Sequence, residues 1–129
     1  LEGDGVRAEG VTDADGRFTF WSILPSEYPI PDDGPVGRML SAVGRHPYRA
    51  PHVHFLIDAP GHQPLITQLF VRGGAYLDGA PGQRDAVFGV KDDLITDFVP
   101  RTGPTPDGRP VDREWRLLEF TFRIARLGD

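Results

Sequence analysis

The sequence predicts an all-β domain: a β-sandwich of short, mostly antiparallel strands joined by long Pro/Gly-rich loops. Three observations carry this. Apolar and polar residues alternate with period two in several short segments, as half-buried strands require. Turn formers punctuate those segments, with 16 Gly and 13 Pro among 129 residues, too many for a few long helices. No long run of helix-forming residues is present, and short strands at this spacing pack best as two sheets face to face.

Residues 6–11 read as a first strand. Asp13-Ala14-Asp15-Gly16 reads as a turn, because Asp bonds its own backbone and Gly accepts positive φ; it opens like a calcium loop, but the later ligand positions are missing. Residues 17–23 alternate, with Phe18 and Phe20 on one side and Thr19 and Trp21 on the other. That predicts a second strand and a hairpin with the first. Pro25, Pro29, Pro31 and Pro35 make residues 25–37 a rigid loop rather than a strand, since each Pro fixes φ and removes a donor. A short helical turn is expected over 39–43. Strands follow over 52–57, ended by Ala59-Pro60-Gly61, and over 65–71. Residues 85–98 read as mixed strand and helical turn, and 101–110 as loop. The longest strand is expected over 114–126, with Leu118, Phe120, Phe122 and Ile124 on one face.

A chain of this length suits one domain with its own core. The net charge is −5 and the Arg residues are interleaved with Asp, so no basic stripe points to nucleic acid. No apolar run approaches the roughly 18–20 residues of a spanning helix, so no membrane association is expected. No secretory signal is visible. With zero Cys there is no disulfide or thiolate chemistry, and a cytoplasmic location is expected. Leu1 reads as a cut end, which implies an upstream segment.

The sharpest chemical feature is His52-Val53-His54. Residues two apart on a strand share a face at roughly 6–7 Å, so both imidazoles can converge on one metal. Imidazole suits Zn, Cu, Fe and Ni alike, so the pair alone does not name the metal. The plain alternative is two half-buried histidines satisfied by hydrogen bonds. His46 also lies in the nine-residue window 46–54, but it and His62 read as structural or surface residues. Tyr28 is held by Pro29-Ile30-Pro31, and a trivalent cation would bind it as a phenolate; otherwise it is a loop Tyr on apolar surface. Arg49 precedes His52 by three positions, and Gln68 follows His54 by fourteen. Both could enter a pocket beside a metal; alone, each reads as a surface polar group.

Taken together, the segments YPIPDDGPVG from Tyr28, GRHP from Gly44, RAPHVHF from Arg49, APGH from Ala59, LITQ from Leu65 and DAVFGVK from Asp85 resemble the intradiol ring-cleavage dioxygenases, which include the catechol, chlorocatechol and hydroxyquinol 1,2-dioxygenases. Order and spacing match as well as wording: Tyr28 and His52 are 24 positions apart, the family's interval between its second Tyr ligand and its first His ligand. The resemblance runs from about residue 6 to residue 98, and it implies a β-sandwich. It also implies one non-haem Fe(III) per site, held by two Tyr and two His plus hydroxide. It places the metal ligands at Tyr28, His52 and His54 and the substrate-side groups at Arg49 and Gln68. Ile30 and Ala50 are expected to border the substrate. The implied partners are a small aromatic diol and O₂, with a cis,cis-muconate-type product. Tyr28 would act as a base, Arg49 would stabilise developing negative charge, and Gln68 would orient the reacting oxygen. The wording around Tyr28 and Asp85 is nearest the hydroxyquinol and chlorocatechol enzymes. Residues 1–129 are then one catalytic domain.

The chain departs from the family pattern in places. Where the family usually reads Arg-Pro-Ala-His, this chain reads Arg49-Ala50-Pro51-His52, which restricts Ala50 to extended backbone. The family's first Tyr ligand is expected about nine residues before Leu1, with the helical region that forms a homodimer in many members. Tyr48 and Tyr76 occupy other parts of the pattern, and residues 79–84 resemble a small insertion. Two readings compete: a cupin-like metalloenzyme that adds Asp58 and His62 to the His pair, and a metal-binding β-sandwich module without dioxygenase activity.

Overall fold

The computed structural model describes residues 8–78, 83–87 and 89–128. Val6 and Arg7, and most of the insertion expected over 79–84, lie outside the described residues. Among the described residues strand outweighs helix, and the strands form three small sheets. β1 (Tyr28–Pro29) pairs antiparallel with β2 (Tyr48–Arg49). β3 (His52–Ile57) pairs antiparallel with β4 (Leu65–Val71), which pairs in parallel with β5 (Ile95–Thr96). β6 (Val99–Arg101) pairs antiparallel with β7 (Trp115–Leu117).

The β3–β4 hairpin is the centre of the molecule. Its Val, Ile, Leu and Phe residues suit a pleated, half-buried surface. The turn after β3 is closed by the His62 N–H donating to the Ala59 carbonyl at 3.1 Å, with Gly61 at φ 75°. One face of the hairpin, with Val53, Phe55 and Leu69, packs on Val71, Phe98 and Leu118. Phe20 and Phe122 close that core, each ring within 5.4 Å of Phe55. Because side chains alternate along a strand, the opposite face carries His52, His54, Gln68 and Phe70, and the register sets His54 opposite Gln68 and His52 opposite Phe70.

The 13–16 turn is as expected: Asp13 Oδ1 accepts from the N–H groups of Asp15 and Arg17 at 2.9 Å each. The strands expected beside it are not formed among the described residues. Over 17–23 the ladder is reduced to one bridge, Ser22 with Arg116. Phe18 and Phe20 still stack, at 6.1 Å, with Phe20 packed on the core and Phe18 exposed beside it, so their alternation reflects side-chain packing and not backbone pairing. The strand expected over 114–126 is likewise only β7. Beyond it Leu118 is buried and Phe122 packs inward, and the backbone meets a partner again at the Arg126–His62 bridge.

The Pro-rich segment differs in two ways. Tyr28 and Pro29 do form a strand, cut short because Pro29 has no N–H. The expected helical turn is a full helix, α1 (Pro35–Ala42), that starts earlier, with Pro at its first position, where a missing N–H costs nothing. Gly37 is required there: a Cβ would overlap the Asp32 carbonyl. Residues 101–110 are loop after Arg101, and 85–98 hold a 3₁₀ turn (Asp92–Leu94) and β5.

Candidate metal centre

Three donor atoms converge beside the outer face of β3. His52 Nε2 and His54 Nε2 are 3.0 Å apart, with their rings nearly perpendicular at 76°. Tyr28 Oη is 3.4 Å from His52 Nε2. Local pairing brings the Tyr there: β1 lies on β2 with Tyr28 opposite Arg49, and Ala50-Pro51 then leads straight into β3. Pro51 ends the β2 ladder because it has no donor, so the chain changes sheets between Arg49 and His52. The Val71 N–H donates to the Pro51 carbonyl at 3.1 Å, which sets the start of β3. The unusual Ala50-Pro51 order therefore leaves His52 beside Tyr28 and His54.

His52 is buried, and its Nδ1 donates to the Ala50 carbonyl at 2.6 Å. A carbonyl only accepts, so in the neutral ring the proton sits on Nδ1 and the Nε2 lone pair faces Tyr28 and His54. Burial pushes the His52 pKa down. The Arg49 and His54 charges act the same way, against the Ala50 carbonyl and Asp85. The neutral, metal-binding form is thereby favoured.

The donors fit a metal. With metal–nitrogen distances of about 2.0–2.1 Å, two nitrogens 3.0 Å apart subtend roughly 95° at one cation. The 3.4 Å Tyr28–His52 separation subtends roughly 110° on the same basis. One hard phenolic oxygen with two imidazoles suits a trivalent iron better than a soft ion. Among the described residues no group of three His, Asp or Glu is placed to hold a metal, so the third donor here is the Tyr. Asp58 and His62 are not drawn in: His62 Nδ1 donates to the Pro60 carbonyl at 2.9 Å, and its backbone bridges to Arg126. The cupin-like set is not assembled.

Arg49, 7% exposed, sits beside the donor atom of His52. Its Nη1 is 3.5 Å from His52 Nε2, and its Nη2 is 3.4 Å from Gln68 Oε1. Gln68 reaches the site because it stands opposite His54. Ala50 is fully buried and contributes through its backbone: its N–H donates to Asp85 and its carbonyl accepts from His52. Ile30 is half-buried after β1, tied by its N–H to the Pro47 carbonyl at 2.9 Å.

Asp85 is the residue that sequence reasoning left without a role. It is 1% exposed and forms a two-point ion pair with Arg49, Nε–Oδ1 3.1 Å and Nη2–Oδ2 3.3 Å. Burial alone would raise its pKa. The hydrogen bond from Arg49, the N–H groups of Gly89 and Ala50, and the Arg49 charge outweigh that and hold it below the usual carboxylate value. A signal existed: a lone carboxylate heading the otherwise apolar run Asp85-Ala-Val-Phe-Gly-Val needs a buried partner.

Fold and site together define a β protein in which a phenol and two imidazoles are gathered beside a buried guanidinium. Comparison with known proteins gives the family. Residues 4–120 match the family model described as "Dioxygenase". Hydroxyquinol 1,2-dioxygenase of Nocardioides simplex is 49% identical over 122 residues, 93% of this chain and 40% of that protein. The 6-chlorohydroxyquinol 1,2-dioxygenase of Cupriavidus pinatubonensis is 52% identical over 104 residues, 81% of this chain and 35% of that protein. Among solved structures, catechol 1,2-dioxygenase from Pseudomonas arvilla C-1 superposes with a TM-score of 0.72 at 35% identity, over 92% of this chain and 37% of that one. The chain belongs to the intradiol ring-cleavage dioxygenase family. It spans about 40% of the length of the curated relatives it matches.

Proposed function

We propose that this chain is the iron-binding part of a non-haem Fe(III) intradiol dioxygenase. Its substrate is a catechol-type diol, cleaved with O₂ to a cis,cis-muconate-type product. The observation that carries this is the convergence of Tyr28 Oη, His52 Nε2 and His54 Nε2 within hydrogen-bond range. Hydroxyquinol is the favoured diol: relatives named for it are 49% identical, against 37% for a chlorocatechol enzyme. The three small sheets are proposed to be parts of a β-sandwich, and the fourth iron ligand to be the family's other tyrosine, upstream of Leu1. A cytoplasmic homodimer is the expected form of the whole protein.

Bound Fe(III) supplies Lewis acidity that draws electron density from the diol. The residues here do the rest. His52 and His54 would hold the metal through their Nε2 atoms, the first oriented by the Ala50 carbonyl. Tyr28, 43% exposed, would be a ligand through its Oη, and at that atom it would take a proton from the incoming diol. Arg49 presents a fixed positive charge where negative charge grows, and Gln68 offers a neutral dipole beside it. Phe70, fully buried behind His52 at 5.4 Å between rings, keeps water from the back of the site.

The test is direct. The full-length protein carrying this chain should bind one iron per chain, absorb visible light by tyrosinate-to-iron charge transfer, and consume O₂ with hydroxyquinol. An iron-loaded protein that is colourless and takes up no O₂ with hydroxyquinol, chlorocatechol or catechol would leave the metal-binding module without dioxygenase activity as the better reading.

A further inference from the structure

Resting on that dioxygenase reading, we propose that Asp85 is the positioning residue for Arg49, and that Gly89 leaves the space in which the guanidinium is set.

Both oxygens of Asp85 are fully committed. Oδ1 accepts from Arg49 Nε at 3.1 Å and from the Ala50 N–H at 2.8 Å. Oδ2 accepts from Arg49 Nη2 at 3.3 Å and from the Gly89 N–H at 2.9 Å. A carboxylate has about four acceptor sites, all used here, so Asp85 is no proton acceptor for a substrate. Its backbone is held equally firmly. The Asp85 N–H donates to the Tyr76 carbonyl and the Ala86 N–H to the Tyr48 carbonyl, each at 2.9 Å. Arg45 Nη2 donates to the carbonyls of Asp85 and Ala86 at 3.2 and 2.5 Å. The 85–86 segment is thus clamped from three sides, and the carboxylate projects from a fixed point.

The Arg49 contacts to the site itself are longer, 3.5 Å to His52 and 3.4 Å to Gln68. The guanidinium is therefore aimed by Asp85 and not by the groups it serves. A dipole or charge held in advance need not reorganise as the reaction proceeds, which is where its catalytic value lies. Gly89 completes the arrangement. A Cβ there would stand 2.8 Å from Arg49 Nη2, 3.1 Å from Gln68 Nε2 and 3.4 Å from Asp85 Oδ2. Any side chain at 89 would displace the two substrate-side groups from these positions.

The experiment uses the iron-loaded full-length protein and three variants. Asp85→Asn keeps shape but turns a donor toward Arg49. It should lower kcat by about 30- to 100-fold, the loss expected from roughly 1 Å of misplacement, with KM moving less than about threefold. Iron stoichiometry and the tyrosinate-to-iron band should match the wild type. In an Arg49→Ala background the same substitution should cost less than about threefold more, because effects through a shared partner do not add. Gly89→Ala keeps the carboxylate itself and crowds Arg49 Nη2 and Gln68 Nε2 most closely. It should lower kcat by about tenfold with the band intact. A purely structural ion pair predicts instead that Asp85→Asn loses iron and the tyrosinate-to-iron band along with stability, the stability loss by itself being expected on either reading, or that its effect on kcat multiplies with that of Arg49→Ala; loss of iron, multiplication or unchanged kcat each overturns the assignment. If Asp85→Asn fails to fold, Gly89→Ala at wild-type kcat overturns it. A wild type without band or turnover refutes the dioxygenase reading and this assignment with it, whereas an active wild type with a fully active Asp85→Asn refutes the assignment alone.

Discussion

Arg49→Ala should reverse the pH dependence of folding stability at Asp85. In the wild type, the Asp85 carboxyl is held below its usual value by Arg49 and two backbone N–H groups, against the burial that opposes them. A carboxylate with a depressed folded pKa contributes stability above the unfolded value, about 3.9, and loses it as pH falls through the folded value. Removing Arg49 deletes the guanidinium and leaves the burial. The 1% exposed carboxylate then keeps only the Ala50 and Gly89 N–H groups, and its pKa should move above 3.9. Breaking one partner from a buried pair costs about 3–5 kcal/mol, and side-chain exposures of 9% and 1% place this pair in that class. The variant should therefore be about 3–5 kcal/mol less stable at pH 7. The gap should narrow by about 1–2 kcal/mol toward pH 4.5, as the orphaned carboxyl takes a proton. His52 pushes the same way: Arg49 helps to depress its pKa, so the wild type loses more than the variant as pH falls below the unfolded His value. Urea unfolding of the metal-free protein at a series of pH values measures this without iron linkage. A gap below about 1 kcal/mol at pH 7, or one that does not change with pH, would refute the reasoning.

Other substitutions test the face assignments and the ligand set. Leu69→Ala, in the core, should cost about 2–5 kcal/mol, whereas Leu56→Ala on the same hairpin, 71% exposed, should stay within about 0.5 kcal/mol by urea unfolding. His54→Ala should weaken iron retention by more than about 100-fold in competition with a chelator, since a direct ligand matters at least as much as the groups that orient it. Tyr28→Phe should shift or weaken the tyrosinate-to-iron band while leaving the melting temperature within about 3 °C, because the removed hydroxyl is on an exposed ring. Gly37→Ala should destabilise by at least about 1–3 kcal/mol, since the added methyl meets backbone and not a movable side chain.

What was legible in the sequence and what was not follow one physical division. Period-two alternation reports which side chains share a face. It therefore found the His52/His54 face and the inward residues Phe20, Leu118 and Phe122, whereas Phe18 and Phe120 stack on them from exposed positions. It does not report whether a neighbouring backbone supplies hydrogen-bond partners. Residues 17–23 and 118–126 thus read as strands yet pair only at Ser22–Arg116 and His62–Arg126. The Pro-rich segment shows the converse. Proline counts argued against a strand over 25–37, and for most of it that holds. A strand of two residues needs few donors, however, and Tyr28–Pro29 makes one.

That short pairing matters more to the site than the longer elements do. β1 on β2 sets Tyr28 opposite Arg49. The next two residues, Ala50 and Pro51, carry the chain into another sheet, where His52 begins. One tripeptide step thus links the phenol, the guanidinium and the first imidazole, with Ala50 tied at both ends, to Asp85 through its N–H and to His52 through its carbonyl. Asp85 touches the Arg49 side chain directly, whereas His52 is held by its own bond to the Ala50 carbonyl. Asp85 and Gly89, distant in sequence from the His pair, therefore bear on where the guanidinium stands rather than on the imidazoles. That is why substitutions at Asp85 and Gly89 are expected to change turnover while the ligands themselves remain in place.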